Sequence, residues 1–146
     1  MTAKDFRKLK VRERAHPLVL AIYPTTASFP RDETYGLTTP IRRAASSIPS
    51  NIAEGCGRDG DAELARFCLI ARGSPSELDY QILLAHDLTL IPSGRYEELS
   101  QEIAEIQRMR TVLVQKRTAD RLKLIARGQP NPQPWLRPQA ALGIIR

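Results

Sequence analysis

The chain has few aromatic residues, only two cysteines and no long apolar run, and each shortage excludes a class of protein. Aromatics make up 5% of the 146 residues, so a core must be built from Leu, Ile, Val and Ala, which favours helices over sheets. Two cysteines are too few for a disulfide scaffold and fit a reducing compartment. The sequence has no apolar run of about 18 residues and no signal-peptide pattern at its start. We therefore expect a cytoplasmic protein without a membrane partner.

The charges are unevenly distributed along the chain, whose formal net charge is +6. Residues 1–14 carry six basic and two acidic side chains, residues 15–105 carry seven and thirteen, and residues 106–146 carry nine and one. Basic segments attract phosphate backbones without reading their sequence. The same pattern is also typical of a solvated helix face, and the sequence favours neither interpretation over the other.

The spacing of apolar residues predicts four helices, each with one buried face. Because Pro17 and Pro24 each remove a backbone donor, we expect the first helix to start late or to bend. Thr38 or Thr39 is the expected N-cap of the second helix. The four apolar stripes are Val11, Ala15, Leu18, Ile22 and Phe29; Ile41, Ala45, Ile48 and Ile52; Leu64, Phe67, Ala71, Leu78, Ile82 and Ala85; and Leu99, Ile103, Ile106 and Leu113.

Breaks in the pattern define the ends of the predicted helices. Residues 73–75, Gly-Ser-Pro, are expected to kink or split the third helix. The fourth helix is expected to run to about Arg127 and to end at Gly128. Four prolines in residues 128–138 exclude a helix there. The sequence thus predicts an all-α protein, with an antiparallel four-helix bundle over residues 1–128 and a proline-rich, extended or disordered tail over residues 129–146.

No catalytic or cofactor-binding set is apparent in the sequence. Residues 55–60, GCGRDG, match G-x-G-x-x-G, but a helix precedes them where the dinucleotide fingerprint needs a strand. His16 and His86 lack the spacing of metal ligands. Cys56 and Cys68 are twelve positions apart, unlike a zinc pair. We expect no cofactor, no metal and no enzymatic activity.

Basic side chains on the fourth helix form the strongest candidate site. They form two parallel stripes on a helix that extends beyond its own apolar stripe, a pattern typical of a surface that contacts phosphates. No aromatic residues are interleaved with it, so stacking on single-stranded bases is not indicated. The predicted partner is RNA or DNA, bound with weak sequence specificity and a steep salt dependence. The stripes are Arg110, Arg117 and Arg121, and, with the same spacing on an adjacent face, Lys116, Lys123 and Arg127.

Residues 42–55, RRAASSIPSNIAEG, place Pro49 inside a helical apolar pattern. The small residues beside the apolar seam indicate that neighbouring helices approach closely. Pro49 leaves the Ala45 carbonyl without its amide donor, and the hydroxyl of Ser46 or Ser50 is expected either to help satisfy that carbonyl or to bend the helix locally. We interpret this stretch as a packing and assembly signature rather than a catalytic site.

Arg42 and Arg43 begin this stretch and have two alternative roles. They are predicted to contact phosphate, or else to pair with acids such as Glu54 or Glu77 across a subunit interface. The two alternatives are equally consistent with the sequence.

Four stretches resemble a known family: DFRKL at residues 5–9, YGLT at 35–38, IRRAASSIPSNIAEG at 41–55 and ARFCLIARGSPSEL at 65–78. Over about residues 5–115 the chain resembles the four-helix-bundle family once called S23 ribosomal protein, also described as 23S rRNA intervening-sequence proteins. The resemblance implies a small, left-turning helical bundle that assembles as a homopentamer. The chain departs from the family pattern at four prolines, namely Pro17, Pro24, Pro40 and Pro75.

The family is similar in fold to accessory proteins of diversity-generating retroelements, which bind nucleic acid and partner with a reverse transcriptase. We therefore expect a non-enzymatic homo-oligomer that binds RNA or DNA through basic helix faces. Two alternatives are a scaffold that presents a surface to a partner protein such as a reverse transcriptase, and an enzyme that uses Ser50, Asn51 and Glu54. The candidate nucleic-acid-binding residues are Arg42, Arg43, Arg110, Lys116, Arg117, Arg121 and Lys123.

Overall fold

A computed structural model describes residues 10–57 and 73–130 of the chain. Four α-helices make up most of these residues. The helices are α1 (Lys10–Ala27), α2 (Thr39–Gly57), α3 (Gly73–Asp87) and α4 (Ser93–Ala126), and these residues contain no strand. The all-α prediction is confirmed. Several predictions lie outside the described residues, including the stripe residues Leu64, Phe67 and Ala71 and nearly all of the tail.

The helices pack in the order α1, α2, α3 and α4, and α1 also packs against α4. Arg14 on α1 pairs with Glu102 on α4 at 3.4 Å. Arg95, near the start of α4, donates to the Thr25 hydroxyl near the end of α1 at 3.1 Å. These contacts show that α1 and α4 run in opposite directions. Two hydrogen bonds show the same for α3 and α4: Ser100 Oγ to Asp79 Oδ1 and Gln107 Nε2 to Ser76 Oγ.

The core of the described residues is aliphatic, as the shortage of aromatic residues predicts. The apolar stripes of all four helices are buried against one another, which confirms the predicted faces wherever the side chains are described. Burying one such side chain contributes about 1.5–3 kcal/mol relative to leaving it in water. Phe29 lies past the end of α1 and packs half-buried at the edge of the core. The α2 seam, Ile41, Ala45, Ile48 and Ile52, is 0% exposed.

Helix α1 continues through both of its prolines. Pro17 and Pro24 are exposed, on the side of α1 away from the buried stripe. Their rings remove the amide donors for the carbonyls of Glu13 and Leu20. Because both residues are exposed, water can solvate those carbonyls, so the prolines do not end the helix.

Helix α2 begins without the predicted threonine N-cap. A 3₁₀ turn over Arg31–Glu33 and a π-helical turn over Thr34–Thr38 lead directly into it. Thr39 already has helical dihedral angles, φ −64° and ψ −47°, and its amide donates to the Thr34 carbonyl. The N-cap prediction is wrong. Carbonyls of the preceding turn accept hydrogen bonds from the first amides of α2, so no capping side chain is needed as their acceptor.

The described part of the third helix begins at Gly73, two residues before Pro75. Pro75 is fully buried. The expected kink or split at residues 73–75 involves preceding residues that lie outside the described part of the chain.

Helices α3 and α4 both end in a turn that contains a left-handed residue. In α4 this residue is Gly128, with φ of 79°, as the sequence predicts. In α3 it is Thr89, with φ of 62°. The Leu90 amide donates to the Ala85 carbonyl at 2.8 Å and the Thr89 amide to the His86 carbonyl at 2.9 Å, the pair of bonds that defines a Schellman cap. A β-branched residue is strained in this conformation.

Replacing Thr89 with glycine is expected to raise the free energy of unfolding by about 1 kcal/mol, because it relieves the left-handed strain. The gain is limited because glycine also loosens the unfolded chain. Chemical denaturation measures the change. Gly128→Ala is the matched control, since no atom lies within 4 Å of a Cβ added there, and it should destabilise through the backbone alone. A loss of stability in Thr89→Gly would show that Thr89 is not strained.

Candidate functional site

Two of the three arginines predicted to form one stripe, Arg110 and Arg121, lie on the core-facing side of α4. Arg110 follows Ile106 by four residues, and Arg117 and Arg121 continue the same line by seven and four. Arg110 and Arg121 are each 5% exposed. The expectation that these two guanidinium groups face solvent is therefore wrong, because the stripe continues the face that holds Ile106. The Arg117 side chain lies outside the described part of the chain.

The second predicted stripe is exposed. Lys116 and Lys123 on α4 and Arg127 at its C-cap all face solvent. From Lys116 to Lys123 to Arg127 the spacing of seven and four residues keeps the three side chains on one face over about 16 Å. None of the three has an ion-pair partner among the described residues. Cations at a helix C-terminus also interact favourably with the helix dipole, which is a structural role for Lys123 and Arg127.

Arg42 is held by the end of α1. Its Nε donates to the Thr26 hydroxyl at 2.9 Å and one terminal nitrogen to the Tyr23 carbonyl at 3.4 Å. Its Cζ lies 4.6 Å from the centroid of the Tyr23 ring. The positive guanidinium group of Arg42 thus lies beside the last carbonyls of α1, which carry partial negative charge, and beside an aromatic ring. Within the chain Arg42 therefore joins α2 to α1, a role that the sequence did not indicate.

Thr26 makes this junction specific, because its buried hydroxyl donates to the Ile22 carbonyl at 2.9 Å while it accepts from Arg42. Thr26→Val keeps the shape of the side chain but removes the acceptor, so we expect a loss of about 1–2 kcal/mol in the free energy of unfolding. Thr34→Val is the matched control, because the exposed Thr34 hydroxyl bonds only to the nearby Arg31 carbonyl. Equal urea midpoints for both variants would contradict the role of Thr26.

Arg43 is exposed on the outer side of α2, next to a face of serines. The Ser46 hydroxyl donates to the Arg43 carbonyl at 3.2 Å and the Ser50 hydroxyl to the Ser46 carbonyl at 2.8 Å. Neither bond reaches the Ala45 carbonyl, so the first of the two expected roles of these serines is wrong. The serines turn back onto their own helix, and they leave Arg43 as the basic group of this face.

His86 joins the end of α3 to the start of α4 and is a feature that sequence reasoning missed. Its Nδ1 lies 3.3 Å from Asp87 Oδ1 and its Nε2 lies 3.1 Å from Ser93 Oγ. Its ring stacks on Tyr96, with centroids 4.5 Å apart. A serine, a histidine and a carboxylate in this order resemble a hydrolytic set. The two grooves described next border other parts of α4. Through these contacts His86 connects α3 to α4.

Two grooves flank the exposed side chain of Val112 on α4. One, of about 450 Å³, lies against the start of α1 and is lined by Lys10, Val11, Glu105, Arg108, Met109, Val112 and Lys116. The other, of about 470 Å³, lies on the opposite side and is lined by Ala104, Gln107, Arg108, Thr111 and Val112. The first groove combines an apolar floor with basic groups, a combination that the helical spacing alone does not reveal.

Comparison with models of known protein families identifies the family of this helical chain. The family model described as 23S rRNA-intervening sequence protein matches residues 7–111. The chain belongs to this family. The match includes the junction of Arg42 with α1 and ends before Lys116, so the exposed basic stripe of this family member lies beyond the matched region. A search of curated proteins finds no match.

Two further properties concern the part of the chain that the structure describes. No helix in residues 10–57 and 73–130 has the length and apolar character needed to cross a bilayer. Within the same ranges, no three His, Cys, Asp or Glu side chains come close enough to hold a metal ion.

Proposed function

We propose that this 23S rRNA-intervening sequence protein family member binds RNA or DNA electrostatically and acts by binding rather than by catalysis. The observation that carries the proposal is the exposed stripe of Lys116, Lys123 and Arg127. Three cations on one helix face span about 16 Å, a length over which one strand of a duplex carries about five phosphates, so each cation can meet a phosphate. Arg43 is a further exposed contact, on α2.

Because Arg110 and Arg121 are buried, we leave them out of the proposed phosphate-contacting surface. A phosphate contact needs a guanidinium or ammonium group that solvent can reach, and Lys116 and Lys123 meet that condition. Contacts to phosphates carry no sequence information, so weak sequence preference is expected. Arg42 contributes by orienting α2, on which Arg43 lies.

The proposal is tested by titrating the full chain into fluorescein-labelled duplex RNA and duplex DNA and following anisotropy. We expect binding to both at 50 mM salt and a loss of about 10³-fold or more in affinity at 200 mM if six or more phosphates are contacted. Anisotropy that stays flat at 50 mM salt would exclude nucleic-acid binding. Affinity that does not change with salt would exclude the electrostatic mechanism.

Exposed apolar side chains support a second proposed property, assembly into a homopentamer that also serves as a protein scaffold. Leu20 on α1 and Tyr80 on α3 are 60% and 63% exposed, on the outer sides of their helices. In the proposed assembly, subunit contacts bury these apolar side chains. Light scattering should give five times the protomer mass of 16.4 kDa, and Leu20→Ser should lower it. A protomer mass at micromolar concentration would contradict the pentamer.

A further inference from the structure

The groove between α1 and α4 has an apolar floor and a basic rim. We call its apolar lining residues, Val11, Met109 and Val112, the floor, and its two lysines, Lys10 and Lys116, the rim. Val112 is 62% exposed, although most valines in a bundle are buried. A ligand made only of phosphate and sugar would use the rim but would leave the floor in water. The groove therefore fits a ligand that is both apolar and acidic.

The remaining charges of the groove leave it positive. Arg108 Nε donates to Glu105 Oε2 at 3.2 Å, and a second nitrogen of the guanidinium also bonds to that oxygen. This hydrogen bond and the charge of Arg108 hold the pKa of the Glu105 carboxyl below its ordinary value, so the two groups offset each other at neutral pH. Lys10 and Lys116 have no ion-pair partner among the described residues. They supply the net charge that a partner meets.

We propose that this groove binds an acidic amphipathic helix of a partner protein. Such a helix places leucine-like side chains on Met109 and Val112 and carboxylates beside Lys10 and Lys116. The inference goes beyond nucleic-acid binding and does not depend on it, because its apolar floor has no role in phosphate contact.

Because α1 and α4 are antiparallel neighbours, the groove between them runs along both helix axes. On α4 it extends from Glu105 to Lys116, which is about 16 Å or three helical turns. A partner helix of that length presents apolar side chains at i, i+4, i+7 and i+11 along one stripe. Carboxylates on the two flanks of that stripe then reach the basic rim.

The test uses a fluorescein-labelled helical peptide of about 16 residues with leucines at i, i+4, i+7 and i+11 and glutamates flanking them. Anisotropy is measured with the full chain and with Val112→Ser. We expect binding to the wild type and a loss of about tenfold in Val112→Ser, because one apolar contact is removed without a change in charge. Leu122→Ser is the matched control, since Leu122 is 48% exposed on the same helix but outside the groove, and it should bind as the wild type does.

Several outcomes would overturn the proposal. A peptide of the same composition with its leucines scattered around the helix must bind at least tenfold more weakly, and equal binding would show simple charge attraction. Equal weakening in Val112→Ser and Leu122→Ser would place the contact elsewhere. Complete displacement of the peptide by laurate at a lower concentration than by unlabelled peptide would assign the groove to an anionic amphiphile. A smaller assembly mass for Val112→Ser would assign it to contacts between copies.

Failure of this proposal is distinguishable from failure of nucleic-acid binding. Val112→Ser keeps every charge, so its affinity for duplex RNA should equal that of the wild type. Reversing Lys123 and Arg127, which lie outside the groove, should weaken RNA binding and change peptide affinity by less than about threefold. Peptide binding that survives Val112→Ser but is lost with Lys123 and Arg127 would reject the groove while leaving the basic stripe in place.

Discussion

Reversing two charges of the exposed stripe, Lys123→Glu with Arg127→Glu, is expected to weaken binding to duplex RNA or DNA by about 100-fold at 0.1 M salt. Each lost phosphate contact removes roughly a tenfold factor at that salt concentration, because fewer counterions are released on binding. Both side chains are exposed at the end of α4, so their replacement should leave the core intact. Fluorescence anisotropy with the labelled duplexes measures the loss, and circular dichroism confirms the fold.

The matched control separates position from net charge. Ser28→Glu, Arg31→Glu and Gln101→Glu together lower the net charge by four, as the stripe variant does, and all three residues are exposed. None of them lies on the basic stripe. The control should lose less than about fivefold in affinity, since charges farther than a Debye length from the contact are screened. Equal losses in the two variants would show that the whole chain, and not the stripe, attracts the nucleic acid.

Replacing Ile48 with alanine is expected to lower the free energy of unfolding by about 3 kcal/mol. Ile48 is 0% exposed in the α2 seam, where a truncated side chain loses its transfer free energy and leaves a cavity. The loss is a large part of the stability of a domain of this size. Urea denaturation followed by circular dichroism gives the value from the change in midpoint, provided that the denaturant slope is unchanged.

The matched control for Ile48 is an apolar truncation at an exposed position. Leu20→Ala on α1 removes a side chain that is 60% exposed, so the protomer should change by less than about 0.5 kcal/mol. A small effect of Ile48→Ala would mean that α2 does not pack as described. A large effect of Leu20→Ala, at a concentration where the chain assembles, would instead report the subunit contact proposed for that face.

The sequence predicts the buried faces because apolar spacing is a local property of a helix. The α2 seam from Ile41 to Ile52 is a clear case, and the helix end at Gly128 follows from the left-handed φ that glycine tolerates. The start of α2 could not be predicted in the same way. Thr39 looks like a cap in the sequence, but the preceding π-helical turn supplies its acceptor, and that turn depends on tertiary packing.

The candidate site was only partly predictable for a related reason. The spacing of Arg110 and Arg121 defines one helix face, but spacing does not show whether that face points inward. The continuity from Ile106 to Arg110 was the signal that this face is the core-facing one. Lys116 and Lys123 continue the face of Met109 and Val112, where Val112 is itself 62% exposed, and both lysine side chains are exposed. The contact of Arg42 with Thr26 spans two helices and leaves no periodic trace in the sequence.

The salt dependence of binding tests the central claim most directly, because it counts phosphate contacts. The slope of log affinity against log salt concentration is measured for the wild type, for Lys123→Glu with Arg127→Glu, and for the charge-matched control. Each phosphate contact contributes about 0.9 to the magnitude of the slope on duplex DNA. We predict that the stripe variant loses about 1.8 in slope while the control keeps the wild-type value. An unchanged slope in the stripe variant would contradict the assignment of α4 as the nucleic-acid-binding surface.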